Sequence, residues 1–266
     1  MIKKIFIITA SALIITIITA AAANYFSGTG SLSKQWKMEK KVPDNRTRPF
    51  SVPILLYHNI DGKGPFSVSL ENIRTHFKMF REKKIRVIPL KELIEAIESG
   101  RPTGDRSIAI TFDDGYKSMH TLLLPLVKEF GYPVTLFVYT DFIGRGRLTW
   151  DKLKELDRAG IDIQSHTNSH PDLTGRKAAN DKNLFFHEIY MSKRLLELKL
   201  DKKIEFFAYP YGRYDLATIE QVKNSGYSRS FSTDYGSNLI TRDNFCLRRH
   251  HIKSDYSLEL IEKLID

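Results

Sequence analysis

Cysteine is all but missing from this chain of 266 residues: Cys246 stands alone, so no disulfide can form within one molecule. Stability must then come from a packed core, and this length suffices for one sizeable α/β domain. Flanked by Phe245 and Leu247, Cys246 reads as a buried structural thiol rather than a nucleophile. Acidic residues are in deficit, 31 against 41 lysines and arginines, which gives a formal net charge of +10. That excess favours an anionic wall or envelope surface. No nucleic-acid-binding module is present, so no nucleic-acid partner is expected. The sequence has no internal repeat and no low-complexity tract. It also lacks a G-x-S-x-G nucleophile elbow, a Walker-type G-x-x-x-x-G-K and a dinucleotide-binding G-x-G-x-x-G.

Long apolar runs are absent with one exception. Lys3 and Lys4 precede an uncharged run, Ile5–Ala23, which ends in small residues, Ala20–Ala23. Positive start, apolar middle and small-residue end are the layout of a secretory signal. The run is long for a signal, and about 20 apolar residues can span a bilayer. Residues 1–24 are therefore expected to be a signal peptide or an N-terminal membrane anchor. Without residues 1–24 the chain keeps a charge of about +8. No cysteine follows the run, which argues against a lipid-anchored form. Residues 25–50, polar and broken by Gly28, Gly30, Pro43 and Pro49, read as a linker. Residues 51–266 form the domain, expected on the outer side of the cytoplasmic membrane. There it would be secreted, wall-associated or anchored.

Within the domain, short apolar runs alternate with segments of helical spacing. Strands are expected at Val52–Tyr57, Arg86–Ile88, Ile108–Phe112, Val134–Tyr139, Ile161–Gln164, Ile204–Tyr209 and Tyr227–Phe231. Helices are expected at Leu70–Lys83 behind a Ser69 cap, and at Leu90–Glu98, Leu122–Phe130, Asp151–Ala159, Phe185–Leu200 and Leu216–Ser225. Such alternation predicts a parallel sheet covered by helices, with functional residues at the C-terminal strand ends.

Polar, ligand-capable residues do gather there. Tyr57-His58-Asn59, Thr111-Phe112-Asp113-Asp114-Gly115, Ser165-His166-Thr167-Asn168-Ser169-His170 and Tyr209-Pro210-Tyr211-Gly212 each follow an expected strand. Two histidines four apart can share a metal from one side of a helical turn, and a carboxylate would complete the set. Of two adjacent aspartates, one can bind metal while the other takes a proton from water. His166 lacks the neighbouring glutamate of a zincin. Alone, either motif is most often a surface turn; together at strand ends they favour a site.

These motifs, in this order, resemble the polysaccharide deacetylases of carbohydrate esterase family 4, over about residues 52–252. The resemblance implies a distorted, incomplete (β/α) barrel, a divalent metal (zinc, or cobalt or nickel in its place) and hydrolysis of N-acetyl groups on an N-acetylated polysaccharide. Asp113 would be the base, Asp114, His166 and His170 the metal ligands, and the Tyr211 backbone N–H an oxyanion donor. Two departures stand out. Most members carry an arginine two residues before the proline of the third motif, where this chain has Ala208. The expected Leu-x-His is replaced by Leu247-Arg248-Arg249-His250-His251-Ile252. Both departures are similar to the deacetylases of biofilm poly-β-1,6-N-acetylglucosamine, as is the opening Pro53-Ile54-Leu55-Leu56-Tyr57-His58-Asn59-Ile60. On that pattern His58 is the general acid, Arg249 orients Asp113, and His250 and His251 are bystanders. A monomer is expected, with membrane contact only through an uncleaved N-terminal segment. Competing readings are a peptidoglycan or chitin-oligosaccharide N-deacetylase, an O-acetyl esterase, a non-catalytic carbohydrate-binding relative and a basic envelope scaffold.

Overall fold

Eight short parallel strands carry the fold in a computed structural model that describes residues 52–99, 103, 106–175, 178, 180–236, 238 and 245–265. The signal or anchor expected at 1–24 and the linker at 25–50 lie outside those residues. Among the described residues, no helix is long and apolar enough to cross a membrane. The strands are β1 Ile54–Tyr57, β2 Arg86–Val87, β3 Ser107–Phe112, β4 Thr135–Val138, β5 Asp162–Ser165, β6 Phe206–Ala208, β7 Arg229–Phe231 and β8 His250–His251. They order as β7-β6-β5-β4-β3-β1-β8, with β2 paired to β3. All seven ladders are parallel. The helices are α1 Leu70–Glu82, α2 Leu90–Ser99, α3 Leu124–Phe130, α4 Trp150–Arg158, α5 Lys182–Phe185, α6 Ser192–Leu200, α7 Leu216–Asn224 and α8 Leu258–Ile265.

Local chemistry sets the helix ends. Ser69, Thr149 and Asp215 each accept a backbone N–H from the first turn of α1, α4 and α7. Gly131 closes α3 at φ 70°. The single helix expected at Phe185–Leu200 is instead interrupted by a π turn, Phe186–Met191, between α5 and α6. An extra residue in that turn re-aims the side chains around Glu188.

Strand parity explains the two cores. Leu55, Ile110, Leu136, Ile163 and Phe207 pack outward with Ile73, Phe77, Leu153 and Leu196 of the covering helices. Ile54, Ala109, Phe137, Phe206, Ala208 and Phe231 point to the other face and gather inside the curl, where Leu90, Leu93, Ile94 and Ile97 of α2 join them. Successive strand residues alternate faces. His58, Asp113, Tyr139 and His166 continue the inward set just beyond β1, β3, β4 and β5.

The sheet nearly closes on itself. Leu247 bridges to Phe231, with Ser232 N–H donating to Leu247 O at 2.8 Å and Leu247 N–H to Ser230 O at 2.9 Å. Three residues later β8 pairs with β1 through Leu55↔His250 and Leu56↔His251. Among the described residues, that bridge joins β7 to the segment entering β8 and makes the seam of a curled half-barrel. Neither β8 nor α8 is among the elements that the sequence periodicity predicts.

Candidate active site

The turn after β3 places two carboxylates side by side. Asp113 N–H donates to Tyr57 O at 3.0 Å, which extends the β1–β3 register by one residue. Asp114 (φ 77°) and Gly115 (φ 68°) then turn the chain in left-handed conformation. A Cβ at Gly115 would press on Val138 Cγ1 at 3.0 Å, so glycine is required there on two counts.

Asp113 is buried, and Arg249 is wholly buried against it at 0% exposure. The Arg249 guanidinium donates to both Asp113 oxygens, Nη1 to Oδ1 at 2.8 Å and Nη2 to Oδ2 at 2.7 Å. Its Nε donates to Ser232 O at 3.0 Å and Nη1 also to Thr111 Oγ1 at 3.3 Å. This is the fork geometry that arginine supplies and lysine cannot. Burial pushes the Asp113 carboxyl up, but the Arg249 charge, His166 and the Arg249 hydrogen bonds outweigh it and hold the group at about 2. Asp113 is therefore ionised throughout the physiological range.

Asp114, His166 and His170 converge beside it. Asp114 Oδ1 lies 3.6 Å from His166 Nε2 and 3.7 Å from His170 Nε2, and the three ligand atoms all fall within 4.8 Å of one another. Those gaps exceed hydrogen-bond length. Ligands at 2.0–2.1 Å around a tetrahedral ion would be spaced by about 3.3 Å, so the set fits a divalent cation. His166 Nδ1 lies 2.8 Å from Ala208 O. A carbonyl can only accept, so Nδ1 carries the hydrogen and the Nε2 lone pair faces Asp114 and His170. Burial, then the neighbouring His166, push His170 down to about 4, which keeps it neutral, the state a metal ligand would need.

The two histidines do not share a helical turn, as their spacing predicts. Residues 166–170 form an irregular loop with Thr167 at φ 75° and His170 at φ 64°. Glu188, from the π turn, fixes that loop. Its buried carboxylate accepts Asn168 N–H at 3.0 Å, Ser169 N–H at 2.7 Å and the Ser169 hydroxyl at 2.7 Å. Thr167 Oγ1 accepts His170 N–H at 2.9 Å, and Thr140 donates to Asn168 Oδ1 at 2.7 Å. Sequence reading missed Glu188. Its only signal was an acidic residue on the apolar side of an amphipathic helix.

His58 leaves β1 on the inward face, with its buried Nδ1 unpartnered among the described residues. Burial lowers its imidazole below the ordinary histidine value, partly offset by Asp113 and Asp114. His251, read from the sequence as a bystander, has its ring 4.7 Å from that of His58. His250 turns away and packs edge-on against Tyr235. Cys246, expected to be buried, is only partly so. Tyr211 stands at φ 57° in a turn closed by Gly212 N–H to Tyr209 O and Arg213 N–H to Pro210 O. Its side chain is 60% exposed, with the ring 4.6 Å from that of His170. A Cβ at Gly212 (φ 68°) would collide with Thr233, so this turn also demands glycine.

With this geometry in hand, the comparisons with known proteins agree. Residues 100–230 match the family model described as polysaccharide deacetylase. A poly-beta-1,6-N-acetyl-D-glucosamine N-deacetylase of Staphylococcus epidermidis is 25% identical over 290 residues, covering 98% of this chain and 96% of that protein. YxkH of Bacillus subtilis is 26% identical over 226 residues, 83% of this chain and 79% of that one. Among solved structures, the Streptococcus pyogenes deacetylase PplD in complex with acetate superposes with a TM-score of 0.75 at 23% identity, covering 82% of this chain and all of that one. IcaB from Ammonifex degensii gives 0.74 at 20% identity over 81% of this chain and 97% of that one. These two likenesses establish the half-barrel fold. Residues 100–230 are a polysaccharide deacetylase domain. The chain is an N-deacetylase acting on non-peptide amide bonds.

Proposed function

We propose that this enzyme is a metal-dependent deacetylase of an extracellular poly-β-1,6-linked N-acetylglucosamine polymer. One observation carries the reading: an ionised Asp113, clamped at both oxygens by Arg249, sits beside a three-ligand set that fits a cation. A divalent cation held there would acidify a water and polarise the acyl oxygen.

The chain's own residues do the rest. Asp113 takes the proton of the water that attacks the acetyl carbon. With a pKa of about 2 it is a weak base, so it suits an acidified water and stays ready at every physiological pH. Arg249 keeps both carboxylate oxygens in place during that transfer. The Tyr211 N–H, held in its locked turn, would donate to the developing oxyanion. His58, on the other side of Asp113, gives a proton to the amine nitrogen as the C–N bond breaks. Acetate and a free amino sugar result.

Support for the polymer comes from how the site is assembled and from the relatives. The acid comes from β1 and the clamp from the segment entering β8, the arrangement that marks the biofilm-type pattern. The Staphylococcus epidermidis relative named for that polymer matches almost end to end. Such a polymer lies outside the cell, which agrees with the expected signal or anchor at residues 1–24. The test is release of free amine by residues 25–266 from poly-β-1,6-N-acetylglucosamine and from peptidoglycan, each with and without chelator. Chelator-sensitive release from the first alone is expected. Release from peptidoglycan alone would overturn the substrate, and undiminished activity after metal stripping would overturn the mechanism.

A further inference from the structure

Two arginines lie in the loop between β4 and α4, in different surroundings. Arg145 is exposed and pairs with Asp141, Nη1 to Oδ1 at 3.3 Å. Arg147 makes no ion pair among the described residues. Its guanidinium lies against aromatic rings instead, with Cζ 3.8 Å from the ring centroid of Tyr116 and 5.2 Å from that of Tyr139. Its Nη1 is shut off from solvent without a hydrogen-bond partner among the described residues, while the residue as a whole is only partly buried. Ring faces offset part of the cost of holding a charge there, but they leave that N–H without an acceptor.

The chain fixes Arg147 at the rim of the candidate site. Leu148, next in sequence, is buried in the outer core, and its N–H donates to Gly115 O at 3.4 Å. Gly115 belongs to the turn that carries Asp113 and Asp114. Gly144 N–H closes the loop on Leu148 O at 2.8 Å, and Thr149 caps α4 just beyond. The Tyr139 ring has its centroid 5.3 Å from that of His170. One aromatic ring thus separates Arg147 from the candidate metal ligands. The two carboxylates of that turn are committed elsewhere. Asp113 is held at both oxygens by Arg249, and Asp114 is turned to His166 and His170. Neither pairs with Arg147.

We propose that Arg147 is a specificity-determining residue that receives an oxyanion, a carboxylate or a phosphate, carried as a substituent on the sugar chain being deacetylated. This rests on the polysaccharide reading above and narrows it to a polymer in which some units are acid-substituted. A guanidinium with one N–H sealed off and no counter-charge gains most from an oxyanion at its open edge, and its planar fork suits both oxyanions. Partial removal from water strengthens that attraction. Two rings hold the group in place beforehand, so little freedom is lost on binding. The chain's net charge of +10 acts in the same direction by drawing an anionic polymer to the surface. A neutral hydroxyl would accept the same hydrogen bond but leave the charge unmatched.

The test compares β-1,6-linked N-acetylglucosamine tetramers that carry, on one unit at a time, a 3-O-carboxymethyl group, its uncharged 3-O-carbamoylmethyl counterpart or a 3-O-phosphate. For residues 25–266, KM for an acid-substituted tetramer should be about tenfold below that of the uncharged one at one or more positions, the worth of a charge-assisted hydrogen bond. A preference for one acid over the other identifies the substituent. In Arg147→Met, which keeps a long side chain between the rings, the ratio should fall to about one, and Arg147→Lys should keep part of it. Arg145→Met removes an equal charge two residues away and should leave the ratio as in the wild type. Equal KM for charged and uncharged tetramers at every position in the wild type would overturn the proposal. So would a preference that survives Arg147→Met. If only β-1,4-linked tetramers are deacetylated, the linkage proposed above fails, and the same ratio in that series decides the role of Arg147. If neither series is deacetylated, the substrate reading fails, and calorimetric Kd values for the same pairs decide Arg147 separately.

Discussion

Replacing Arg249 by methionine tests the site and the seam of the barrel together. The change removes four hydrogen bonds made by a side chain with no solvent exposure. Asp113 would be left as a buried carboxylate without a cation, a loss that typically costs about 3–5 kcal/mol. Ser232 O would lose its side-chain donor as well, adding about 1 kcal/mol. A domain holds only about 5–15 kcal/mol in total, so Arg249→Met should be folded but fragile. With a urea slope of about 2–3 kcal/mol/M, the unfolding midpoint should drop by about 1.5–2 M. Adding Asp113→Asn removes the stranded charge and should recover about half of the loss, giving a coupling of about 2 kcal/mol or more in the double-mutant cycle. Arg249→Lys keeps a charge but not the two-pronged grip. It should lower kcat about 10²-fold through misplacement of the base, with metal content unchanged. Denaturation by circular dichroism, amine release and metal analysis on the same preparations read all three. A loss under 1 kcal/mol in Arg249→Met, or wild-type kcat in Arg249→Lys, would refute the reasoning.

Other expectations follow from neighbouring groups. Stripping metal should abolish turnover and zinc, cobalt or nickel should restore it; measured metal content should fall in His166→Ala and persist in Asp113→Asn. His58→Ala should slow amide deacetylation by about 10²–10⁴-fold yet spare an aryl acetate, whose leaving group needs no acid; equal losses on both would remove His58 as the acid. Glu188→Ala should weaken metal affinity about 10–100-fold, read by competition with a chromophoric chelator, because the His166–His170 loop loses three donors' acceptor; an unaltered affinity would leave Glu188 a purely structural residue. Burial holds His76, His170 and His251 down at about 4, so in the metal-free protein the unfolded chain binds protons first. Its stability should therefore decline as pH falls from about 6.5 towards 4, and a flat urea midpoint across that window would contradict the burial of these rings.

The strands were legible because a parallel sheet buried on both faces must be written in continuous apolar runs, as in Ile54–Tyr57 and Ser107–Phe112. The site motifs were legible because they follow those runs directly. Besides α8, three features were not. β8 is two histidines long and gains its place from pairing with β1 and the Phe231 bridge, so it has no periodicity to show. The π turn at Phe186–Met191 arises from tertiary demand for Glu188 under the histidine loop, within an otherwise regular helical pattern. The His166–His170 spacing suggested a helical turn, but Thr167 and His170 adopt left-handed conformations that the Glu188 and Thr167 hydrogen bonds sustain.

Arg249 and Ala208 are two sides of one constraint. The family pattern expects an arginine at position 208 to orient the base aspartate, and β6 does aim that position into the interior. There Ala208 packs with Phe137, Phe231 and Leu247. The Arg249 guanidinium enters the same interior, 5.4 Å from the Phe137 ring, and takes both Asp113 oxygens. A second guanidinium from β6 would find no free carboxylate oxygen on Asp113, and an unpaired charge in that interior would cost several kcal/mol. What the site requires is one cation for one buried carboxylate, delivered from either strand. The seam supplies it here because closing the sheet brings residues 247–251 between β7 and β1. The same closure sets His251 beside His58, so the strand that seals the barrel also shapes the surroundings of the proposed acid.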